Sequence, residues 1–250
     1  MFTIQTTEHL AGVTVSGTLS ELNALYDALS NVIGQEGCYV DYDACRLRVL
    51  GLCYEIRHAY QGDRHKGKDM FDETVFSFDY YWPEMIFLYA SLEAFCFLSA
   101  GKQCYLLQED SNAIFFHEET QQVLLNRLPD DIALVTYFRA LIRNALQRTI
   151  DKKRFVKMFR AYDNGYSHTY RKQIFCDYCR QWVDIQNVNY LKRAPDKRKT
   201  YLATIAEKIL FDSSDYQWLR EDLLVFEQEL GEPRDEIELE GMQYPDEIDW

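Results

Sequence analysis

The sequence predicts an α+β fold in which a small, mainly antiparallel sheet packs against several helices and the C-terminal half is helix-rich. Three observations support this prediction. Apolar and polar residues alternate near the N-terminus and again at 76–80, as in strands buried on one face. Apolar residues recur at helical spacing through most of the remaining chain. Only 11 glycines and 5 prolines occur, which leaves little room for disordered linkers.

A chain of 250 residues is long enough to bury a sizeable core. We therefore expect a single domain over residues 1–250. Its predicted parts are a sheet-containing half (1–110), a helical half (111–231) and an extended acidic C-terminal tail (232–250).

The first 34 residues predict the order strand, strand, helix. Two short alternating runs, 2–4 and 13–15, indicate strands joined by the turn "HLAG". Thr18 and Glu21 have the spacing of a helix capping box, and Gly34 ends the predicted helix.

A second helix is predicted from Asp43, with an apolar stripe formed by Leu47, Leu50 and Tyr54. Arg57 and His58 continue this stripe, so we expect both side chains at the edge of the core. The stretch "GDRHKGKD" that follows is predicted to be a loop.

The middle of the chain predicts a strand followed by an apolar helix. Residues 76–80 alternate as a strand, and Pro83 suits the first turn of a helix that continues to about Ser99. This helix is apolar nearly all round, so it is either the central buried helix or a dimer interface. Residues 103–119 favour a hairpin around "EDSN", and a helix from Ala113 is the alternative.

The remaining chain predicts a series of helices and a terminal extended segment. The acidic tail "DEIELEGMQYPDEIDW" alternates Ile237 and Leu239 with acids, so it is a candidate edge strand for the N-terminal sheet. The predicted helices begin near Asp130 or Asp131, at Asp151, at Tyr170 (continuing to Trp182), at Pro195 and at Asp215.

Charge is distributed unevenly along this acidic chain, whose net charge is -13. Residues 139–202 contain 16 basic and 5 acidic side chains, whereas residues 1–138 contain 8 and 20, and residues 203–250 contain 3 and 15. One interpretation is that the basic segment binds an acidic protein, a nucleic acid or a second copy of the chain in a homodimer. The other is that the acidic tail folds over the basic segment and neutralises it.

The stretch "EIRHAYQGDRHKG" concentrates charged and titratable side chains, namely Arg57, His58, Asp63 and Arg64. As an active site it would hold a phosphoester or nucleotide between the two arginines, with His58 as acid–base catalyst. As a structural corner it would pair Arg57 with Asp41 or Asp43, and Asp63 would hold the loop through backbone hydrogen bonds.

The stretch "YDNGYSHTYRK" interleaves aromatic and basic side chains and includes Tyr166, His168, Arg171 and Lys172. Aromatic side chains can stack on nucleic-acid bases, and basic side chains can hold the phosphates. The alternative is a connection between helices whose aromatic side chains pack inward.

The seven cysteines predict reduced thiols, because their number is odd and their spacing irregular. Cys176 and Cys179 of "CDYC" lack the second close pair that a zinc site needs, so we interpret them as packing residues. The sequence predicts no metal site and no cofactor.

No membrane association is predicted. The N-terminus lacks the basic start and apolar core of a signal peptide, and the most apolar run, "MIFLYASLEAFCFLSAG", is interrupted by Glu93 and short for a bilayer. We therefore expect a cytoplasmic protein.

The chain contains "HLAGVTVSG", a "LYDAL" helix, "LGLCYEIRHAYQGDR", an aromatic strand leading into "WPE", and the close "IELEGMQYPDEIDW". Together these resemble a family of uncharacterised proteins, largely from Gram-positive bacteria, known only as a domain of unknown function. The resemblance covers nearly the whole chain and is weakest from Gln103 to His117. It implies a single α+β domain of the bacterial cytosol and no activity.

Two functional hypotheses follow. The first is a non-enzymatic interaction protein that uses the basic 139–202 segment, because no recognised catalytic constellation is present. The second is a small enzyme that acts on an anionic substrate at Arg57, His58 and Arg64. The first is favoured.

Overall fold

A computed structural model describes residues 2–106, 118–165, 175 and 178–250, and of residues 102–106, 118–126 and 165 it describes only the backbone. These residues form an α+β fold: a four-stranded antiparallel sheet packs against eight α-helices, most of them in the C-terminal half. The fold class predicted from the sequence is confirmed.

The strands are β1 (Thr3–Thr6), β2 (Gly12–Gly17), β3 (His65–Lys68) and β4 (Thr74–Tyr81), in the spatial order β1-β2-β4-β3. The helices are α1 (Leu19–Ile33), α2 (Asp43–Gln61), α3 (Trp82–Leu106), α4 (Glu118–Thr149), α5 (Lys152–Gly165), α6 (Gln181–Leu191), α7 (Pro195–Leu210) and α8 (Ser214–Leu230). Short 3-10 helices occupy Val40–Tyr42 and Arg234–Glu236.

The N-terminal prediction is confirmed in its local details. The inward residues Ile4, Val13 and Val15 are buried, as their alternation predicted. At the start of α1, the Glu21 amide donates to the Thr18 hydroxyl at 3.4 Å and the Thr18 amide donates to the Glu21 carboxylate at 3.0 Å. This reciprocal pair is the capping box that the spacing indicated.

Helix α3 is the central helix of the fold. It follows β4 without a loop, and nearly every side chain from Trp82 to Phe95 is buried. The window Trp82–Gly101 is long and apolar enough to cross a membrane by length and composition, and 67% of it is buried inside the fold. This burial places α3 in the environment of a core helix.

The predicted buried face of α2 is wrong. Leu47 and Tyr54 are 46% and 50% exposed, and the buried stripe instead contains Val49, Leu52 and Ile56. The buried stripe lies nearly half a turn away, almost on the opposite side of the helix, and packs toward α1. As a result Arg57, which follows the exposed stripe, is exposed.

Other predictions of secondary structure also need correction. The stretch "GDRHKGKD", predicted to be a loop, contains strand β3. Residues 103–106 and 118–119 are helical, so the hairpin predicted over 103–119 does not form there, and its centre lies outside the described residues. Residues 178–180 are not helical, which interrupts the helix predicted from Tyr170 to Trp182. The C-terminal tail contains no strand within 232–250, and α4 begins well before Asp130.

The tail packs back onto the fold without joining the sheet. The buried Arg198 guanidinium donates to the Asp249 carbonyl at 2.5 Å and to the His9 carbonyl at 2.9 Å. Trp250 stacks on Tyr81 with ring centroids 5.1 Å apart, and its carbonyl accepts a hydrogen bond from the His9 amide. Residue 250 is thereby fixed beside the end of β4.

Candidate functional site

Helix α5 is amphipathic, with one face in the core and the other basic. The Asp151 carboxylate caps it by accepting hydrogen bonds from the backbone amides of Lys153 and Arg154, at 3.0 and 3.1 Å. The face toward the core is aromatic and includes Phe155, Phe159 and Tyr162. Burial of these rings fixes which way the opposite face points.

The opposite face of α5, here called the basic face, consists of Lys152, Lys153, Lys157 and Arg160. All four side chains are exposed, and none forms an ion pair within the described residues. They line an open groove of about 1130 Å³ together with the exposed Val156 and with Phe211. The groove is therefore both cationic and apolar.

Other arginines of the 139–202 segment are already engaged. The ion pairs join Arg139 to Glu93 at 3.0 Å, Arg143 to Asp163 at 2.7 Å and Arg154 to Glu207 at 2.8 Å. Among the described residues, only the last of these reaches an acid of the 203–250 segment. The tail itself contacts α6, α7 and the sheet, so it does not neutralise the basic face.

The "RHAYQGDR" stretch forms the C-terminal cap of α2. Gly62 has φ of 92°, its amide donates to the Ala59 carbonyl, and the Asp63 amide donates to the His58 carbonyl, both at 2.9 Å. This pair of bonds is a Schellman motif. His58 Nδ1 lies 2.8 Å from the Asp63 carboxylate and closes the same turn. His58 and Asp63 are thus accounted for by capping.

The two arginines of this stretch do not converge with His58. Arg64 donates two hydrogen bonds to Glu55, at 2.8 and 3.1 Å. The Arg57 guanidinium lies 5.4 Å from the centre of the Tyr54 ring. The structural interpretation predicted an ion pair between Arg57 and Asp41 or Asp43, and this pair does not form; Asp43 instead pairs with Arg46. The arrangement gives no support to an anion clamp made of Arg57, His58 and Arg64.

The second predicted cluster, Tyr166, His168, Arg171 and Lys172, lies outside the described residues, as does Cys176. Cys179 is buried, and its backbone amide lies 3.4 Å from the Tyr216 hydroxyl. The five described cysteines, at 38, 45, 53, 96 and 179, are free thiols. Within the described residues, no group of three or more His, Cys, Asp or Glu side chains is arranged to hold a metal ion.

A cleft of about 360 Å³ lies between α2, β4 and the start of α3; we call it the Glu84 cleft. Glu84, only 7% exposed, forms an ion pair with Arg48 and accepts a hydrogen bond from the Asn187 amide at 2.8 Å. Arg48 also pairs with Asp184 at 2.6 Å. The cleft is lined by Glu55, Arg64, His65, Asp79, Tyr80, Tyr81, Glu84 and Trp250.

Burial controls the protonation of the groups at this cleft. It raises the pKa of Glu84 above its ordinary value, and Arg48 and the Asn187 amide oppose this shift. Burial also raises the pKa of the Tyr80 hydroxyl, so this hydroxyl stays neutral. The second carboxylate oxygen of Glu84, Oε2, is buried and makes no hydrogen bond among the described residues.

The family model for a domain of unknown function, DUF6904, matches residues 2–250. The chain belongs to this family. The expected membership of a family known only as a domain of unknown function is thereby confirmed over nearly the whole chain. Searches of curated proteins and of solved structures find no match.

Sequence reasoning missed the Glu84 cleft of this DUF6904 chain entirely. Glu84 and Asn187 are 103 positions apart, and no local motif links them. One signal was present: Glu84 is an acid inside the first turn of a largely apolar helix, where burial of a charge requires a partner. The basic face was anticipated as part of residues 139–202, without its individual residues.

Proposed function

We propose that this DUF6904 protein is a non-enzymatic interaction protein that binds an acidic partner through the basic face of α5. The observation that carries the proposal is the set of four exposed cations that form no ion pair within the described part of the chain. Lys153, Lys157 and Arg160 follow each other at spacings of four and three residues, so their charges repel along the helix. A bound anionic partner would relieve that repulsion.

The composition of the groove favours a protein over a nucleic acid. Val156 and Phe211 give the groove an apolar floor, which suits the apolar side of an amphipathic acidic helix. The net charge of -13 would also repel a long polyanion outside the immediate contact. An acidic amphipathic helix satisfies the charge and the apolar floor together.

The chain itself contains such a helix. α8 has five acidic residues and one basic residue, and its outer side exposes several apolar side chains. Trp218 is 64% exposed, and Val225, Phe226 and Leu230 are also exposed. A second copy of the chain is therefore the first partner to test. In a two-fold dimer each copy would supply both surfaces.

The test measures binding of three fluorescent probes to the full chain by anisotropy. The probes are a synthetic peptide with the α8 sequence, a poly-glutamate peptide of equal length and a single-stranded DNA. The same samples are examined by sedimentation velocity for self-association. The charge variant is Lys153→Gln/Lys157→Gln/Arg160→Gln, and its matched control is Lys192→Gln/Lys197→Gln/Lys199→Gln, which removes three exposed cations elsewhere in the basic segment.

We expect the α8 peptide to bind more tightly than poly-glutamate, because it also fills the apolar floor. We expect the charge variant to weaken binding by at least about tenfold and the control variant to leave it unchanged. If DNA is the probe that binds most tightly, the proposed protein partner would be replaced by a nucleic acid. In that case the affinity for DNA should fall about 50-fold between roughly 50 and 200 mM salt, as expected for four phosphate contacts. Equal binding by both variants would refute the assignment to α5.

A bacterial, cytoplasmic setting is part of the same proposal. It is supported by the five free thiols, of which Cys45, Cys53 and Cys179 are buried as small apolar side chains.

A further inference from the structure

The lining of the Glu84 cleft has more acids than bases. Glu55, Asp79 and Glu84 face one arginine, Arg64, and one histidine, His65. The acids outnumber the basic side chains of this lining, and Glu84 shares its charge with Arg48 behind the cleft. A site of about 360 Å³ is within the size range of small-molecule pockets.

Two of the three acids are satisfied by the protein. Glu55 receives both hydrogen bonds from Arg64. Asp79 accepts a hydrogen bond from the Thr14 hydroxyl at 2.5 Å and lies 3.1 Å from His65 Nε2. These pairs fix the wall of the cleft and leave little capacity for a ligand.

Glu84 differs from the other two acids. It is more than nine-tenths buried, and both of its bonds from Arg48 and Asn187 go to Oε1. Oε2 is buried without a hydrogen bond among the described residues. A buried carboxylate oxygen that lacks a donor is costly, so a donor supplied by a ligand would stabilise the site.

Tyr80 provides a second unused group in the same cleft. Tyr80 lines the cleft beside Glu84, and its hydroxyl, which lies on the α2 side near Gly51, makes no hydrogen bond within the described residues. The adjacent wall is rigid, because Tyr81 is stacked against Trp250 with the ring planes 7° apart. Aromatic rings beside an acid are a favourable environment for an organic cation.

We propose that the Glu84 cleft binds a small organic cation of the amine or amidine class. Glu84 is its counter-ion, the Tyr80 hydroxyl is its second polar contact, and the aromatic wall holds its apolar part. This site is separate from the basic face of α5 and takes a ligand of opposite charge.

The experiment titrates the full chain with three isosteric probes: benzamidine, benzamide and benzoate. Binding is followed by calorimetry at neutral pH. We expect benzamidine to bind at least about tenfold more tightly than benzamide, because only the amidinium forms a charge-assisted bond with the carboxylate. We expect benzoate to bind more weakly than benzamide. Saturable binding of benzoate equal to that of benzamidine, or no binding of benzamidine below about 10 mM, would overturn the proposal.

Two variants locate the site. Glu84→Gln should weaken benzamidine binding at least about tenfold, and Tyr80→Phe about fivefold. Tyr80→Phe removes a hydroxyl that has no hydrogen-bond partner among the described residues, so it keeps the test valid if Glu84→Gln fails to fold. The control is Tyr54→Phe, an exposed tyrosine outside the cleft. Benzamidine binding that is the same in Tyr80→Phe as in Tyr54→Phe would show that the cation lies elsewhere. The α5 charge variant should leave benzamidine binding unchanged.

Discussion

Substitution of Arg48 by methionine should destabilise the fold strongly and in a pH-dependent way. The Arg48 and Glu84 side chains are only 12% and 10% exposed, so they form a largely buried ion pair. Removing one partner of a buried pair leaves the other charge uncompensated, which costs about 3–5 kcal/mol. For a domain of this size that loss corresponds to a fall in Tm of about 10 °C.

The sign of the pH effect follows from Glu84. Its pKa in the folded protein is already above the ordinary value of 4.5, and loss of the Arg48 charge raises it further. Between the unfolded and folded pKa values the folded variant holds a proton that the unfolded chain has lost. Stability therefore falls as pH rises from about 4.5 through the folded pKa, by about 1.4 kcal/mol for each added unit of pKa.

The assay is urea unfolding followed by circular dichroism at about pH 5 and about pH 8. Arg57→Met is the matched control, because Arg57 is an exposed arginine on the same helix and has no ion pair among the described residues. It should change stability by less than about 0.5 kcal/mol. The double variant Arg48→Met/Glu84→Gln should recover part of the loss. The reasoning is refuted if the loss of unfolding free energy in Arg48→Met is within about 1 kcal/mol of the loss in the control. It is also refuted if the loss in Arg48→Met is the same at both pH values.

Three further substitutions test other parts of the fold by the same unfolding assay. Gly51→Ala should stabilise by about 0.5–1 kcal/mol, because a Cβ there meets only the Tyr80 hydroxyl at 3.5 Å and helix propensity improves; a loss of stability would contradict this. Gly12→Ala should lower the free energy of unfolding by about 3 kcal/mol or more, because the new Cβ would lie 2.0 Å from the Tyr80 carbonyl oxygen. An unchanged stability would show that β2 and β4 can move apart at this point without loss. Arg198→Lys should lower the free energy of unfolding by about 3 kcal/mol, because one ammonium cannot replace a guanidinium that donates to four carbonyls. A loss of less than about 1 kcal/mol would contradict the importance of these four hydrogen bonds.

The sequence predicted best those features that depend on neighbours in the chain. The capping box of α1, the Asp151 cap and the start of α7 at Pro195 are each set within four residues, and all three are present. The buried α3 was also predictable, because an apolar helix has nowhere to lie except in the interior.

Features that depend on distant partners were not predictable in this way. α2 has apolar residues on two stripes, and only its packing against α1 decides that Val49 is buried and Leu47 exposed. In the basic segment the sequence could not tell an engaged arginine from a free one, since Arg154 pairs with Glu207, 53 positions away. The Glu84 cleft is the extreme case, because its network joins α2, α3 and α6.

The way in which the tail is held sets how freely its sequence can drift over evolution. Arg198 and Gln181 bind it through the carbonyls of Asp249, Arg234 and Ile237, a group that every residue type possesses. Exchange of the acids at 246–249 therefore leaves these anchors intact. By contrast, the stacked ring of Trp250 is contacted through its side chain and cannot be exchanged without loss. Among relatives, substitutions in this segment should accumulate at the acids and spare the aromatic residue.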